Sequence, residues 1–305
     1  MITESTLTFG LSAVAFFWGA AWGSFLNVVI YRLPQDLSVV RPGSHCPECG
    51  TSIAWYDNIP CLSYFILRGR CRACAVQFSP RYALVEGVCG LLVLILFQNT
   101  VLPLGQQALT EALVHWLWWQ VFIFALVAIT FIDLEHLFIP DEISIPTTLI
   151  GVAGAFWLPQ QGIETALIGC LVGGGFMLLI FGIGWLIYRR EALGLGDAKL
   201  MAMIGAFLGW KALPFVLFAS SVQALVAVAG AQLYTRLTGR PNSFMLTTEE
   251  LDKHFGEEDR YAHHDAPPRL VIPYGPFIAL AALEATFLGS DSIWMLADLI
   301  VQAII

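Results

Sequence analysis

The sequence predicts an all-α polytopic membrane protein of about eight transmembrane helices with a small cytoplasmic zinc-binding loop domain. Three observations carry that prediction. Of 305 residues, 57% are hydrophobic and only 12% are charged, against roughly 25% charged in an ordinary soluble domain. A soluble core of this length would still need a charged shell, whereas a bilayer accepts apolar side chains on the outside. Apolar runs also recur along the whole chain, and two Cys-x-x-Cys pairs sit together in the loop after the first run.

Taken in order, the runs begin near residues 8, 83, 112, 143, 163, 213 and 272, and a shorter run covers 198–210. The longer ones suffice to cross about 30 Å of hydrocarbon. Together they predict eight spans, and residues 291–305 are too short to add a ninth. Residues 1–7 carry Glu4 and no Lys or Arg, and the first run continues to about Ile30 without a small-residue cleavage site. It therefore reads as a retained helix rather than a signal peptide. The expected organisation is a first transmembrane helix at 1–30, a cytoplasmic four-cysteine domain at 31–82, a transmembrane core at 83–235, a polar cytoplasmic insertion at 236–271 and a C-terminal transmembrane segment at 272–305.

Orientation follows from where Lys and Arg sit, because positively charged loops stay cytoplasmic. Arg32, Arg41, Arg68, Arg70, Arg72 and Arg81 lie in 31–82, Arg189, Arg190 and Lys199 in 188–199, and Arg236, Arg240, Lys253, Arg260 and Arg269 in 234–271. The connections near 101–111 and 159–163 have none. Eight spans then put every strongly basic loop inside and both chain ends outside. The net charge of -8 arises largely from acids concentrated at 249–265, which argues against nucleic acid as a partner. Gly173, Gly174 and Gly175, with the small residues around Gly151 and Gly154, suit close helix packing in lipid.

Cys46-Pro47-Glu48-Cys49 is followed, after 21 residues, by Cys71-Arg72-Ala73-Cys74. Two such pairs in one loop can wrap four thiolates around a tetrahedral Zn²⁺. Disulfides are the alternative, but the loop is assigned to the reducing cytoplasm. Four thiolates leave no open position for substrate, so the metal is expected to staple a loop too small to bury a core. His45 reads as a neighbour of this cluster, and Cys61, Cys89 and Cys170 as apolar fillers.

Ionisable groups at the end of a spanning segment are expensive and invite a functional reading. Asp133 ends the third apolar run, and Asp197 sits in Gly194-Leu195-Gly196-Asp197, on the same predicted side of the membrane. Paired carboxylates sharing one proton can hydrolyse a peptide: the ionised one draws a proton from water while the protonated one donates to the carbonyl oxygen. Gly194 and Gly196 would let an extended substrate backbone approach closely. The bland alternative makes Asp197 a helix cap beside Lys199. Asp141, in Ile139-Pro140-Asp141, reads as an N-cap and remains the rival to Asp133 as partner of Asp197. Glu135 and His136 read as solvated interface residues, and His263-His264-Asp265 as part of the polar insertion.

These residues add up to a resemblance. The string from Gly23 through Asn27 to Arg32-Leu33-Pro34, the two cysteine pairs, Asn58-Ile59-Pro60, Arg81-Tyr82 with Glu86, Asp133, Ile139-Pro140-Asp141, Gly194-Leu195-Gly196-Asp197 and Ile272-Pro273-Tyr274-Gly275-Pro276 occur in an order that resembles the bacterial prepilin peptidases. The resemblance implies a bifunctional inner-membrane enzyme. It would cut the leader from type IV prepilins or type II secretion pseudopilins after a glycine at the cytoplasmic face, then N-methylate the new N-terminal residue with S-adenosylmethionine. The family's catalytic aspartates would fall on Asp133 and Asp197. Its usual phenylalanine is Tyr274 here, and the loop at 236–270 is longer than the family leads one to expect. No glycine motif of a soluble nucleotide-binding domain is present, so the 31–82 loop is the expected place for the methyl donor, with no residues assigned. Two other classes compete: a transporter whose aspartates line an ion path, and an assembly factor that docks through its zinc loop. The transporter reading explains neither why the aspartates sit at one face rather than at mid-membrane nor the cysteine loop beside them.

Overall fold

The computed structural model describes residues 4–103, 109–157, 162–188, 194–239 and 272–289. Most of the polar insertion, the 291–305 segment, Arg189, Arg190 and the His263-His264-Asp265 group lie outside these residues. Among the described residues the regular structure is helical, apart from two isolated bridges, His45 with Ser52 and Arg70 with Gln77, in the long irregular loop between residues 36 and 80. Its α-helices are α1 (Glu4–Arg32), α2 (Leu62–Ile66), α3 (Arg81–Thr100), α4 (Leu109–His136), α5 (Asp141–Trp157), α6 (Ile163–Tyr188), α7 (Leu195–Leu208), α8 (Leu213–Thr238) and α9 (Gly275–Leu288). All but α2 coincide with the predicted apolar runs.

Of the eight predicted spans, α1, α3, α4, α6 and α8 are each long and apolar enough to cross a membrane. The other three are shorter: α5 has 17 residues, and α7 and α9 have 14 each. At 1.5 Å per residue, 14 residues reach only about 21 Å. That falls short of the roughly 30 Å hydrocarbon core. Continuous apolar sequence therefore does not translate into eight full-length spans among the described residues.

The chain forms two compact units, residues 1–128 and 129–305, so that α4 begins in the first and ends in the second. In the first, α1 packs along α3 through glycines one turn apart. A Cβ at Gly19 would lie 2.7 Å from the Cys89 carbonyl oxygen, and one at Gly23 would lie 2.8 Å from the Glu86 Cα. Small residues at this spacing let two backbones approach where lipid supplies no hydrophobic drive. Trp18 Nε1 donates to Gln120 Oε1 at 2.8 Å, which joins α1 to α4 within this unit. Such a bond satisfies two polar groups that hydrocarbon would leave unpaired.

In the second unit, α7 is the centre. Leu200, Met201, Met203, Ile204, Ala206 and Phe207 are all fully buried, as expected of a helix apolar on every face. It crosses α6 at Gly169 and Gly205, where a Cβ on either would come within 2.1 Å of the other's carbonyl oxygen or closer. Gly173 faces the Met201 carbonyl and Gly151 of α5 faces the Phe207 ring, so these two glycines pack as the sequence leads one to expect. Gly175 does not; it opens onto empty space. Gly205→Ala is expected to destabilise the unit by about 1–3 kcal/mol, the usual range for overpacking. Thermal unfolding in detergent measures this, and an unchanged midpoint would mean that α6 and α7 do not cross so closely.

Candidate active site and metal centre

In the second unit, four stretches of the chain meet, two of them adjacent in sequence. Asp133 lies in the last turn of α4 and is 6% exposed. The helix stops at His136 because Leu137 turns left-handed at φ 57, and the chain then runs through Phe138 and Ile139 into α5. Gly194 caps α7 with an extended backbone (φ -73, ψ 141) and no side-chain bond, which puts Asp197 in the first helical turn. The fourth stretch is the start of α9, where the Gly275 backbone N–H donates to Asp133 Oδ2 at 3.0 Å.

Ile139 fills the space between these elements. A Cβ at Gly196 would lie 3.0 Å from Ile139 Cβ, and one at Gly275 would lie 3.3 Å from Ile139 Cδ1 and 2.6 Å from Asp133 Oδ2. The missing side chain of Gly196 is thus taken up by an internal contact. Gly194, by contrast, is exposed beside the Asp197 carboxylate. Asp197 is half-buried, and Asp133 is near enough for its charge to act on it. Its carboxylate also reaches back toward the Gly194 backbone, the reciprocal half of a capping box. The capping alternative is therefore partly met, although Gly194 itself is the cap.

Asp141 is placed differently. It is the first residue of α5 rather than its cap, because the Pro140 carbonyl accepts the first helical bonds, from Ile143 and Ser144. Its carboxylate pairs with Lys199 Nζ, and both side chains are substantially exposed, at 52% and 39%. An exposed pair of this kind contributes about 0–1 kcal/mol. Asp133 is thus buried beneath the start of α9, whereas Asp141 is paired at the surface with Lys199. The sequence reading missed the role of Gly275. A signal was present: Pro276 in the first turn marks a helix start, and a helix start carries amides without intrahelical partners.

In the first unit, the loop between α1 and α3 gathers Cys46, Cys49, Cys71 and Cys74, with all four sulfurs within 4.8 Å of one another. The Cys46 and Cys74 sulfurs are 3.8 Å apart. Zn–S bonds of 2.3 Å at tetrahedral angles give a sulfur–sulfur edge of about 3.8 Å, so the donor set fits zinc in both chemistry and size. The two knuckles repeat one backbone design. Cys46 N–H donates to Thr51 C=O and Cys71 N–H to Val76 C=O, both at 2.9 Å. Four residues after each first cysteine the backbone turns left-handed, at Gly50 (φ 68) and Ala75 (φ 58). The Thr51 hydroxyl and backbone beside Cys49 favour its thiolate and bring that thiol down to about 6.

Arg72, inside the second knuckle, forms a two-pronged bond to Asp57 at 2.6 and 2.7 Å and lies over the Tyr56 ring. That fork ties the knuckle to the turn before Asn58-Ile59-Pro60 and holds the Asp57 carboxyl below its usual range. The remaining strings of the resemblance converge at the membrane end of this loop. Asn27, 2% exposed, donates through Nδ2 to the Tyr82 carbonyl at 3.0 Å. Glu86 accepts the Cys61 backbone N–H at 2.7 Å, where Cys61 itself has a left-handed backbone (φ 59). Of the three cysteines read as fillers, Cys89 is fully buried, whereas Cys61 and Cys170 are half-buried.

Comparison with known proteins agrees with both halves of this description. Residues 17–100 match the Bacterial Peptidase A24 N-terminal domain, and residues 120–229 match the Type IV leader peptidase family. No solved structure matches the chain. A Prepilin leader peptidase/N-methyltransferase of Myxococcus xanthus (strain DK1622) is 38% identical across 90% of this chain and 89% of its own length. Proteins of the same description from Aeromonas salmonicida (strain A449) and Stutzerimonas stutzeri are each 31% identical, covering 94% and 95% of this chain and 94% of their own lengths. With two family domains matched and similarity running nearly end to end, the chain belongs to the type IV leader peptidase family.

Proposed function

We propose that Asp133 and Asp197 are the catalytic pair of a membrane-embedded aspartic endopeptidase that removes the leader of type IV prepilins or related pseudopilins. The same protein then N-methylates the exposed N-terminus. Cleavage and methylation are the two activities named for its relatives. The observation that supports the catalytic assignment is that buried Asp133 of α4, held by the Gly275 amide, and half-buried Asp197 of α7 are both packed around Ile139 and the start of α9.

The chemistry needs one ionised and one protonated carboxylate, and two carboxylates that share a site cannot both ionise freely. The ionised one takes a proton from water as the water oxygen bonds to the scissile glycine carbonyl carbon, while the protonated one gives its proton to the carbonyl oxygen. Collapse of the adduct breaks the C–N bond, and the leaving amine takes back a proton from the pair. Exposed Gly194 leaves room for an extended substrate backbone beside Asp197.

The arrangement of basic loops supports an active site at the cytoplasmic face, where a leader would remain while the apolar stem of the substrate enters the membrane. The four cysteines hold a structural Zn²⁺ that staples the 31–82 loop, and S-adenosylmethionine is the second substrate of the methyl-transfer half. The polar 236–271 stretch is a cytoplasmic insertion.

Purified protein in detergent, given a prepilin with a Gly-Phe junction, tests the proposal by mass spectrometry. The expected product lacks the leader and gains one methyl group when S-adenosylmethionine is added. A well-folded substrate left uncut would contradict it.

A further inference from the structure

Tyr274 stands one residue before the amide that holds Asp133. Its hydroxyl lies 2.9 Å from Ser220 Oγ and 3.1 Å from Ser221 Oγ, both on α8. Because both serine hydroxyls donate to the Leu217 carbonyl, the phenol gives its one proton to one serine oxygen at a time. Ser220 is fully buried, and both serine hydroxyls also lie against the Leu217 carbonyl, at 3.1 and 2.7 Å. The anchor is thereby tied to the backbone of α8 rather than to a mobile side chain.

At the other end of this short link, Gly275 begins α9, and Pro276 after it has no N–H to offer. The Gly275 amide is one of those a helix start leaves without an intrahelical partner, and it spends its bond on Asp133 Oδ2. Little slack exists around that bond, since even a Cβ on residue 275 would come 2.6 Å from Oδ2. Where the Asp133 carboxylate sits therefore depends on where residue 275 sits. Residue 275 is in turn set by the Tyr274 anchor.

We infer that Tyr274 is a positioning residue for peptide cleavage: its clamp on Ser220 and Ser221 holds the Gly275 amide against Asp133 Oδ2 and so fixes that carboxylate relative to Asp197. The inference rests on Asp133 and Asp197 being the catalytic pair. Tyr274 itself touches neither substrate nor reacting atoms in this scheme. Its effect falls on the orientation of a catalytic group, and so on turnover rather than on substrate binding.

The test measures kcat and KM for prepilin cleavage by Tyr274→Phe, by Ser220→Ala/Ser221→Ala, and by the three changes together, alongside Asp133→Asn and thermal midpoints in detergent. A misplacement of 1 Å near reacting groups costs up to about 100-fold, and loss of one anchor bond is expected to lower kcat about tenfold with KM unchanged. The triple variant is expected to be no slower than Tyr274→Phe, because groups that act as one unit do not add. If Asp133→Asn is inactive while Tyr274→Phe turns over at the wild-type rate, the inference is overturned and the catalytic pair stands. A raised KM, a lowered thermal midpoint and additive losses would show a merely structural role and also overturn it. If Asp133→Asn still cleaves, the pair itself fails and the inference with it.

Discussion

The Asp197→Asn protein is expected to fold normally, retain its metal and lose cleavage by on the order of a thousandfold or more, a range set by single-residue removals from catalytic units in other peptidases. Asparagine matches aspartate in shape, so the α7 start and the Gly194 cap survive. It cannot exchange a proton with water or with the scissile carbonyl, so one half of the acid–base pair is lost. Asp133→Asn is expected to behave alike. Its side-chain oxygen still accepts the Gly275 N–H, which separates the loss of ionisation from the loss of the contact. Methylation of a substrate already freed of its leader is expected to persist in both variants. Loss of that activity as well would point to collapse of the whole protein rather than to a catalytic defect.

Replacing Cys46 with serine is expected to empty the metal site. Cys46 is fully buried, and its sulfur lies against that of Cys74. Structural zinc in small domains contributes about 10–16 kcal/mol of apparent binding free energy, which is folding free energy where no apolar core exists to replace it. Trp55, Phe65 and Ile66 of this loop are 81%, 72% and 71% exposed, so little core is available. The variant should lose bound zinc by elemental analysis and become sensitive to protease between residues 41 and 80. Cys170→Ser, on α6 and not among the four clustered sulfurs, should retain both zinc and resistance. Stoichiometric zinc in Cys46→Ser would contradict the four-thiolate assignment.

The helical architecture was legible because the apolar runs are long, and the four-cysteine cluster because paired Cys-x-x-Cys spacing leaves little geometric choice. What the sequence could not convey was how long each helix becomes. The apolar stretches that hold α7 and α9 read as spans, yet the described helices are 14 residues long. Asp197 was legible as a candidate from its own motif, but its proposed partner Asp133 came from the family resemblance, because Asp133 and Asp141 are equally near a helix end. Only the fold separates them: one is buried under Gly275, while the other faces outward toward Lys199. The Gly275 amide escaped notice because a backbone donor has no letter in the sequence. The glycine code was similarly blurred, for Gly173 packs tightly whereas Gly175 touches nothing.

The most direct test compares three single substitutions, Asp133→Asn, Asp197→Asn and Asp141→Asn, with wild type in one prepilin cleavage assay read by mass spectrometry. The account predicts that the first two yield no shortened product while Asp141→Asn, which loses only an exposed ion pair, cleaves within a few-fold of wild type. Cleavage by Asp133→Asn together with inactivity of a well-folded Asp141→Asn would contradict it and move the catalytic partner of Asp197 to the start of α5.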